Sequence, residues 1–393
     1  MIKEISDKNI QEFSNKVIDA IQCTIGFGEK NLHEPTFCGN EWTYVKDCID
    51  SSFVALGKYT GEFERKVSSF TKSKHAIAIV NGTSALHLSL VLAGVRAGDE
   101  VIMPTLTFVS TANAISYIGA KPHFVDSEIC SLGIDADKLR SYLKKISVIQ
   151  NGNCINKITG NKIKAIVPMH VFGHPSNLTE LLNISEMFNL VMVEDSAEAL
   201  GSFFDERHVG TFGKLGVLSF NGNKTITTGG GGIILTDDDN LAEAAFHLSK
   251  TAKIKHDYEF IHDQIGFNYR MPNLNAALGC AQMEQLPTIL HAKRLLYKKY
   301  QKEFNKIENV ALLKEPLGCK SNYWLQTIVL DEVYSKYRDQ IIKNLHHAGV
   351  MVRPIWTPIN LLAPYKKCPA SDLSVSQNIF PRLINVPSNA IIT

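Results

Sequence analysis

Apolar residues recur in the first two thirds of the chain as short unbroken runs, each bounded by turn residues. Such runs occupy 75–80 (HAIAIV), 100–104 (EVIMP), 121–126 (KPHFVD), 163–170 (IKAIVPMH), 190–195 (LVMVED), 216–220 (GVLSF) and 232–236 (GIILT). Runs this short and this apolar predict strands covered on both faces. Between them, 83–94 (TSALHLSLVLAG, closed by Gly94), 107–119 (TFVSTANAISYIG) and 177–189 (NLTELLNISEMFN) have helical spacing. Strands alternating with helices imply a mostly parallel sheet with helices on both sides. The link between the last two strands is much shorter than the others. Loops that follow parallel strands gather at one sheet edge, where ligands bind.

Past residue 250 the alternation weakens. A helix over about 272–306, a strand within YWLQTIVL and a helix in YRDQIIKNLHHAG predict a smaller α+β unit. The expected division is a large α/β domain over 1–250, including an N-terminal helical segment, and a small C-terminal domain over 251–393. The junction falls near KTAKIKHDYEF.

Composition narrows the function classes. The 393 residues are 45% apolar and 20% charged with a net charge of +2, ordinary for a soluble globular protein. No basic cluster is interleaved with aromatics, so nucleic acid is not an expected partner. A weak positive balance suits a small anionic substrate. No apolar run approaches the roughly 18 residues of a membrane span. The start, MIKEISDKNIQEF, is acidic where a signal peptide is basic, so the expected location is the cytosol. The eight cysteines are scattered with no C-x-x-C pair, and there is no H-E-x-x-H. In HVFGH (170–174) a glycine and a following proline oppose a ligand-bearing helix. No metal site is expected.

The stretch SFNGNKTITTGGGG (219–232) sets a single lysine among residues with little packing capacity. It is not a P-loop: Asn223 separates Gly222 from Lys224, the glycine run follows the lysine, and a strand comes next. No dinucleotide fingerprint is present either. One lysine near glycines also serves enzymes that form Schiff bases with pyridoxal phosphate. That cofactor demands a carboxylate for its ring nitrogen, a turn for its phosphate and a flat side chain against its ring. Asp195, at the end of LVMVED, is the candidate carboxylate. Thr83 and Ser84 in NGTSAL open a helix whose N-terminus attracts phosphate, and Ser219 adds a hydroxyl. Phe108 is the candidate flat side chain. Each has a plainer reading: a turn cap for Asp195, a helix N-cap for Thr83 or Ser84, core for Phe108. Their common property is that all fall at strand ends on one predicted edge.

The blocks NGTSALHLSL, GDEVIMPTLTFVSTANAISYIGAKPHFVD, VEDSAEALGS, SFNGNKTITTGGGGIILTDD and GFNYRMPNLNAALGCAQ resemble the DegT/DnrJ/EryC1/StrS family of pyridoxal phosphate-dependent sugar aminotransferases. The likeness runs from about residue 37 almost to the end. It implies a fold-type-I, aspartate aminotransferase-like transaminase, working as a homodimer with active sites at the subunit interface. By motif position Lys224 is implied as the Schiff-base lysine and Asp195 as the pyridinium partner. Thr83, Ser84 and Ser219 are implied at the phosphate, Phe108 on the ring, and Asn268 at the phosphate of the neighbouring subunit. Glu198 stands where the family often has glutamine beside the cofactor hydroxyl. Retention of Lys224 opposes the branch that dehydrates sugars with a histidine there. Another fold-type-I enzyme or a non-catalytic cofactor-binding regulator is the remaining alternative, and no helix-turn-helix supports the regulator.

FNGNK, TTGGGG and FCGNEW resemble the branch serving bacillosamine- and legionaminic-acid-type sugars, which are surface-glycan building blocks. That branch implies amination at C4 of a nucleotide-linked 2-acetamido-4-keto-6-deoxyhexose with glutamate as donor, UDP-linked first and GDP-linked second. Arg270 and Arg353 are candidates for the diphosphate and Trp356 for stacking on base or sugar. Surface ion pairs and core packing are their plainer readings.

Overall fold

The computed structural model describes residues 5–390. Seven strands form the central sheet: β1 (His75–Ile79), β2 (Glu100–Pro104), β3 (Lys121–Val125), β4 (Lys162–Ile166), β5 (Val191–Asp195), β6 (Leu215–Ser219) and β7 (Gly232–Thr236). Their spatial order is β1-β7-β6-β5-β4-β2-β3. A hairpin of Ser147–Gln150 and Asn153–Asn156 extends the sheet antiparallel to β4. Neighbours from β6 through β3 are parallel. The exception is β7, which runs antiparallel to both β1 and β6. Residues 220–231 contain no helix, and a parallel return needs a longer crossover. The run at 163–170 stops being strand at Ile166, and Val171–Gly173 is a 3₁₀ turn.

Alternate residues of each strand feed opposite layers, as the pleat requires. Ile77, Ile79, Val101, Met103 and Val217 pack beneath the Gly82–Leu92 and Ser110–Tyr117 helices. Ala78, Leu218, Ile233 and Leu235 face Phe63 and the start of the Asn273–Phe304 helix. Both faces are therefore dry, which is why the strands read as continuous apolar runs.

The C-terminal segment builds a four-stranded antiparallel sheet in the order Val310–Leu312, Gln326–Leu330, Leu383–Val386, Arg353–Pro354. The Arg338–His347 helix and the N-terminal Asp7–Ile25 helix pack with it in one apolar cluster. The 32-residue Asn273–Phe304 helix links the two regions: Ala276 and Cys280 belong to the layer under the large sheet, Leu296 and Tyr300 to the C-terminal cluster. No helix among the described residues is long and apolar enough to cross a membrane.

Candidate active site

Three strands bring their final residues to one edge. Ile79 and Ser219 both pair with Gly232, so β1 and β6 end, and β7 begins, in one row. Asp195 closes β5 opposite Val217, two residues short of Ser219. The backbones press together here: a Cβ on Gly232 would lie 2.5 Å from the Asn81 carbonyl oxygen, and one on Gly82 2.9 Å from Ser219 Cβ. Only glycine permits that approach. The Gly82–Leu92 helix starts against Ser219, and its cap is Asn81, whose Oδ1 accepts the Ser84 N–H at 2.8 Å. One of Thr83 and Ser84 was expected as the cap; both are first-turn residues, two and three positions past Asn81.

Below this row opens a cavity of about 430 Å³. Thr83, Phe108, Asp195, Glu198, Ser219, Lys224, Arg353 and Trp356 all line it. Phe108 is 48% exposed rather than core, because the helix expected from 107 begins only at Ser110 and leaves the residue on the preceding loop. Its ring centroid lies 6.3 Å from that of Trp356.

Asp195 is 3% exposed and makes no ion pair among the described residues. Its Oδ2 accepts from Thr111 Oγ1 at 2.6 Å and its Oδ1 from the Ala197 N–H at 3.2 Å. Burial pushes its carboxyl above the ordinary range, against those bonds and the charge of Lys224. Lys224 sits on the turn after β6, its N–H donating to the Asn221 carbonyl at 3.0 Å. Its Nζ lies 3.3 Å from Glu198 Oε1 and 4.0 Å from the centroid of the Trp324 ring. The Trp324 indole N–H donates to the Asn223 carbonyl at 2.6 Å, so one side chain holds both the lysine and its turn.

Glu198 Oε2 accepts from the Phe172 N–H at 3.0 Å. Burial raises its carboxyl to about 7, outweighing the nearby lysine charge. Phe172 has a φ of 55°, uncommon for a bulky residue and typical of functional sites. Its ring lies 5.1 Å from Trp356 and 6.3 Å from Trp324.

Three expected site residues lie outside the cavity. Ser84 sits just behind Thr83 on the helix. Asn268 is exposed and bridges Lys250. Arg270 is a correction: its Nη1 bonds Glu64 Oε1 at 2.7 Å and the Ala78 carbonyl at 3.1 Å, and its guanidinium lies over Phe246. It anchors a loop to the strand β1 and does not line this cavity. Thr111, Phe172, Trp324 and Asn385 were not anticipated. Thr111 had a signal, since it follows Phe108 by three positions in TFVST; the other three had none.

The residues fit pyridoxal phosphate. A buried carboxylate without a cation faces the cavity, a lysine reaches it, and a helix N-terminus with hydroxyls from Thr83 and Ser219 closes one end.

The chain matches the DegT/DnrJ/EryC1/StrS aminotransferase family over residues 37–393. It is 35% identical to a GDP-perosamine synthase of Caulobacter vibrioides, covering 91% of this chain and 93% of that one. It is 32% identical to a Bacillus subtilis chain, EpsN, named as a candidate pyridoxal phosphate-dependent aminotransferase, covering 92% and 91%. Helicobacter pylori PseC, an aminotransferase of pseudoaminic acid biosynthesis, superposes with a TM-score of 0.84 at 25% identity, covering 93% and 95%. The protein belongs to the DegT/DnrJ/EryC1/StrS family and is a pyridoxal phosphate-dependent sugar aminotransferase.

Proposed function

We propose that the protein transfers an amino group from glutamate to C4 of a nucleotide-linked 4-keto-6-deoxyhexose, in the cavity at the ends of β1, β5 and β6. The observation that carries this reading is Lys224, which shares that cavity with the buried Asp195 and has Glu198 3.3 Å from its Nζ. Pyridoxal phosphate supplies, when bound, a carbonyl for amines and an electron sink. Asp195 would hold its ring nitrogen, with Thr111 and the Ala197 N–H fixing the carboxylate. Thr83 and Ser219 would hold its phosphate and Phe108 would cover its ring. Lys224, as a free amine, carries a proton at Nζ. Glu198, with a carboxyl near 7, exchanges protons with it over one hydrogen bond.

Arg353 and Trp356 suit the cavity to a nucleotide sugar. Arg353 is exposed, makes no ion pair among the described residues, and stands beside Trp356. A free guanidinium beside an aromatic matches a diphosphate next to a base or sugar. The name of the Caulobacter relative supports a GDP-linked sugar as the first choice. FNGNK, TTGGGG and FCGNEW support a UDP-linked 2-acetamido sugar as the second. Incubation with glutamate and GDP-, UDP- or dTDP-linked 4-keto sugars separates these, the expected product carrying nitrogen at C4 by NMR. Turnover of 3-keto sugars alone, or dehydration without nitrogen transfer, overturns the reading.

The same reading makes the active species a homodimer. Asn268 is exposed, and Tyr258, Phe260 and Ile265 on the same segment are 81%, 80% and 89% exposed. A mixture of Lys224→Ala and Asn268→Ala chains should regain activity through heterodimers with one intact site. No regain after demonstrated subunit exchange, with each single variant inactive, contradicts a shared site.

A further inference from the structure

Lys293 lies inside the Asn273–Phe304 helix with its side chain fully buried and no carboxylate paired to it among the described residues. Its Nζ is 2.8 Å from His33 Nε2, 3.0 Å from the Trp324 carbonyl oxygen and 2.8 Å from the Ser388 carbonyl oxygen. The partners come from three separate segments, and all three build the same wall. Leu32, Trp324 and Leu325 line the active cavity, and the Ser388 N–H donates to the Leu32 carbonyl at 2.7 Å.

Hydrogen-bond bookkeeping decides the form of the amine. A charged ammonium would donate to all three partners and force the His33 proton onto Nδ1. That atom is buried with no partner, so the proton would be an unpaired donor, a costly state. An uncharged amine donates to the two carbonyls and accepts from His33 Nε2–H, leaving only a bare lone pair at Nδ1. Burial acts in the same direction, pushing Lys293 down to about 7 and His33 well below its ordinary range. An apolar side chain would fill this space as well. The amine adds two donors, one of them on the Trp324 main chain.

Trp324 touches the reacting lysine through its ring under Nζ, and the turn that carries the lysine through its indole N–H on the Asn223 carbonyl. We propose that Lys293 is a positioning residue for aminotransfer: by joining His33, Trp324 and Ser388 it sets the Trp324 indole, and through it Lys224, against the cavity. The inference rests on Lys224 being the reacting lysine.

The test compares Lys293→Met, Lys293→Gln and Trp324→Phe. In the loaded enzyme Lys293→Met should lower kcat about tenfold or more while KM for the sugar stays within about twofold. In cofactor-free protein the same change should speed amide hydrogen exchange over residues 221–226 by about tenfold. Lys293→Gln, which keeps N–H donors for the carbonyls, should recover part of both effects. The Lys293→Met, Trp324→Phe double variant should be no worse than the worse single one, because both act through one side chain. A drop in melting temperature alone, with kcat and exchange at 221–226 unchanged, or full additivity in the double variant, overturns the proposal. Should Lys293→Met fail to accumulate, Lys293→Gln and Trp324→Phe carry the same comparison. The exchange measurement needs no cofactor, so it separates a failure of this proposal from a failure of the Lys224 assignment, which borohydride trapping reads independently.

Discussion

Two lysines touch Trp324, and the protein treats them in opposite ways. Lys224 lies over the indole with 13% of its side chain exposed to the cavity and a carboxylate at 3.3 Å. Lys293 binds the main-chain carbonyl, is fully buried, and has an imidazole and two carbonyls for company. The first has access and a proton partner, the two conditions for covalent amine chemistry. The second is fully buried with no opening to the cavity, and serves to hold segments together. The difference shows that a buried lysine is a reaction centre only where a route and a proton acceptor come with it.

Changes on the Lys224 side should have the largest effects. Lys224→Ala should cut multiple turnover by about a thousandfold or more in a coupled assay with the sugar product, while the chain still folds. Activity within about tenfold of the parent would place the chemistry elsewhere. Asp195→Asn removes the charge but keeps an acceptor for Thr111, and kcat should fall about a hundredfold. A change confined to KM would mean that the carboxylate only packs.

The two arginines sharpen the contrast between cavity and scaffold. Arg353→Ala should raise KM for the nucleotide sugar about tenfold with kcat nearly unchanged. Arg270→Ala should leave KM alone and lower unfolding stability by about 1–3 kcal/mol, because Glu64 and the Ala78 carbonyl lose a half-buried donor. Steady-state kinetics together with denaturant titration distinguish the two, and the reverse pattern would restore Arg270 to the substrate.

Glu198→Gln should lower kcat less than Lys224→Ala or Asp195→Asn, and its clearest signature is in the pH dependence of stability. The folded chain keeps the Glu198 proton up to about 7, whereas the unfolded chain releases it near the ordinary 4.5. Folded stability therefore falls as pH rises between those values, and above 7 the loss is complete. Melting temperatures of cofactor-free Glu198→Gln should fall less than those of the parent from about pH 5 to about pH 8. Parallel curves would show that Glu198 ionises at its ordinary value.

The strand-end half of the site was legible in sequence because it is local. Apolar run length marks where β5 and β6 stop, and Gly222 after the second run marks where the backbone turns, so Asp195, Ser219 and Lys224 follow from a few neighbouring residues. The Asn81 cap was within the same reach, two positions ahead of the first of the residues chosen. The direction of β7 was legible as well, from a link too short for a parallel crossover. The other half is tertiary. Trp324 meets Lys224 only because the 32-residue helix carries the chain between the two regions. Arg270 meets Glu64 across a separation of 206 residues. Nothing local announces either contact.

Borohydride reduction of the loaded protein, followed by peptide mapping, tests the central claim most directly. The account predicts cofactor mass on the peptide containing Lys224, loss of that mass in Lys224→Ala, and none on the peptide containing Lys293. Cofactor mass on Lys293, or on any lysine other than Lys224, would contradict it.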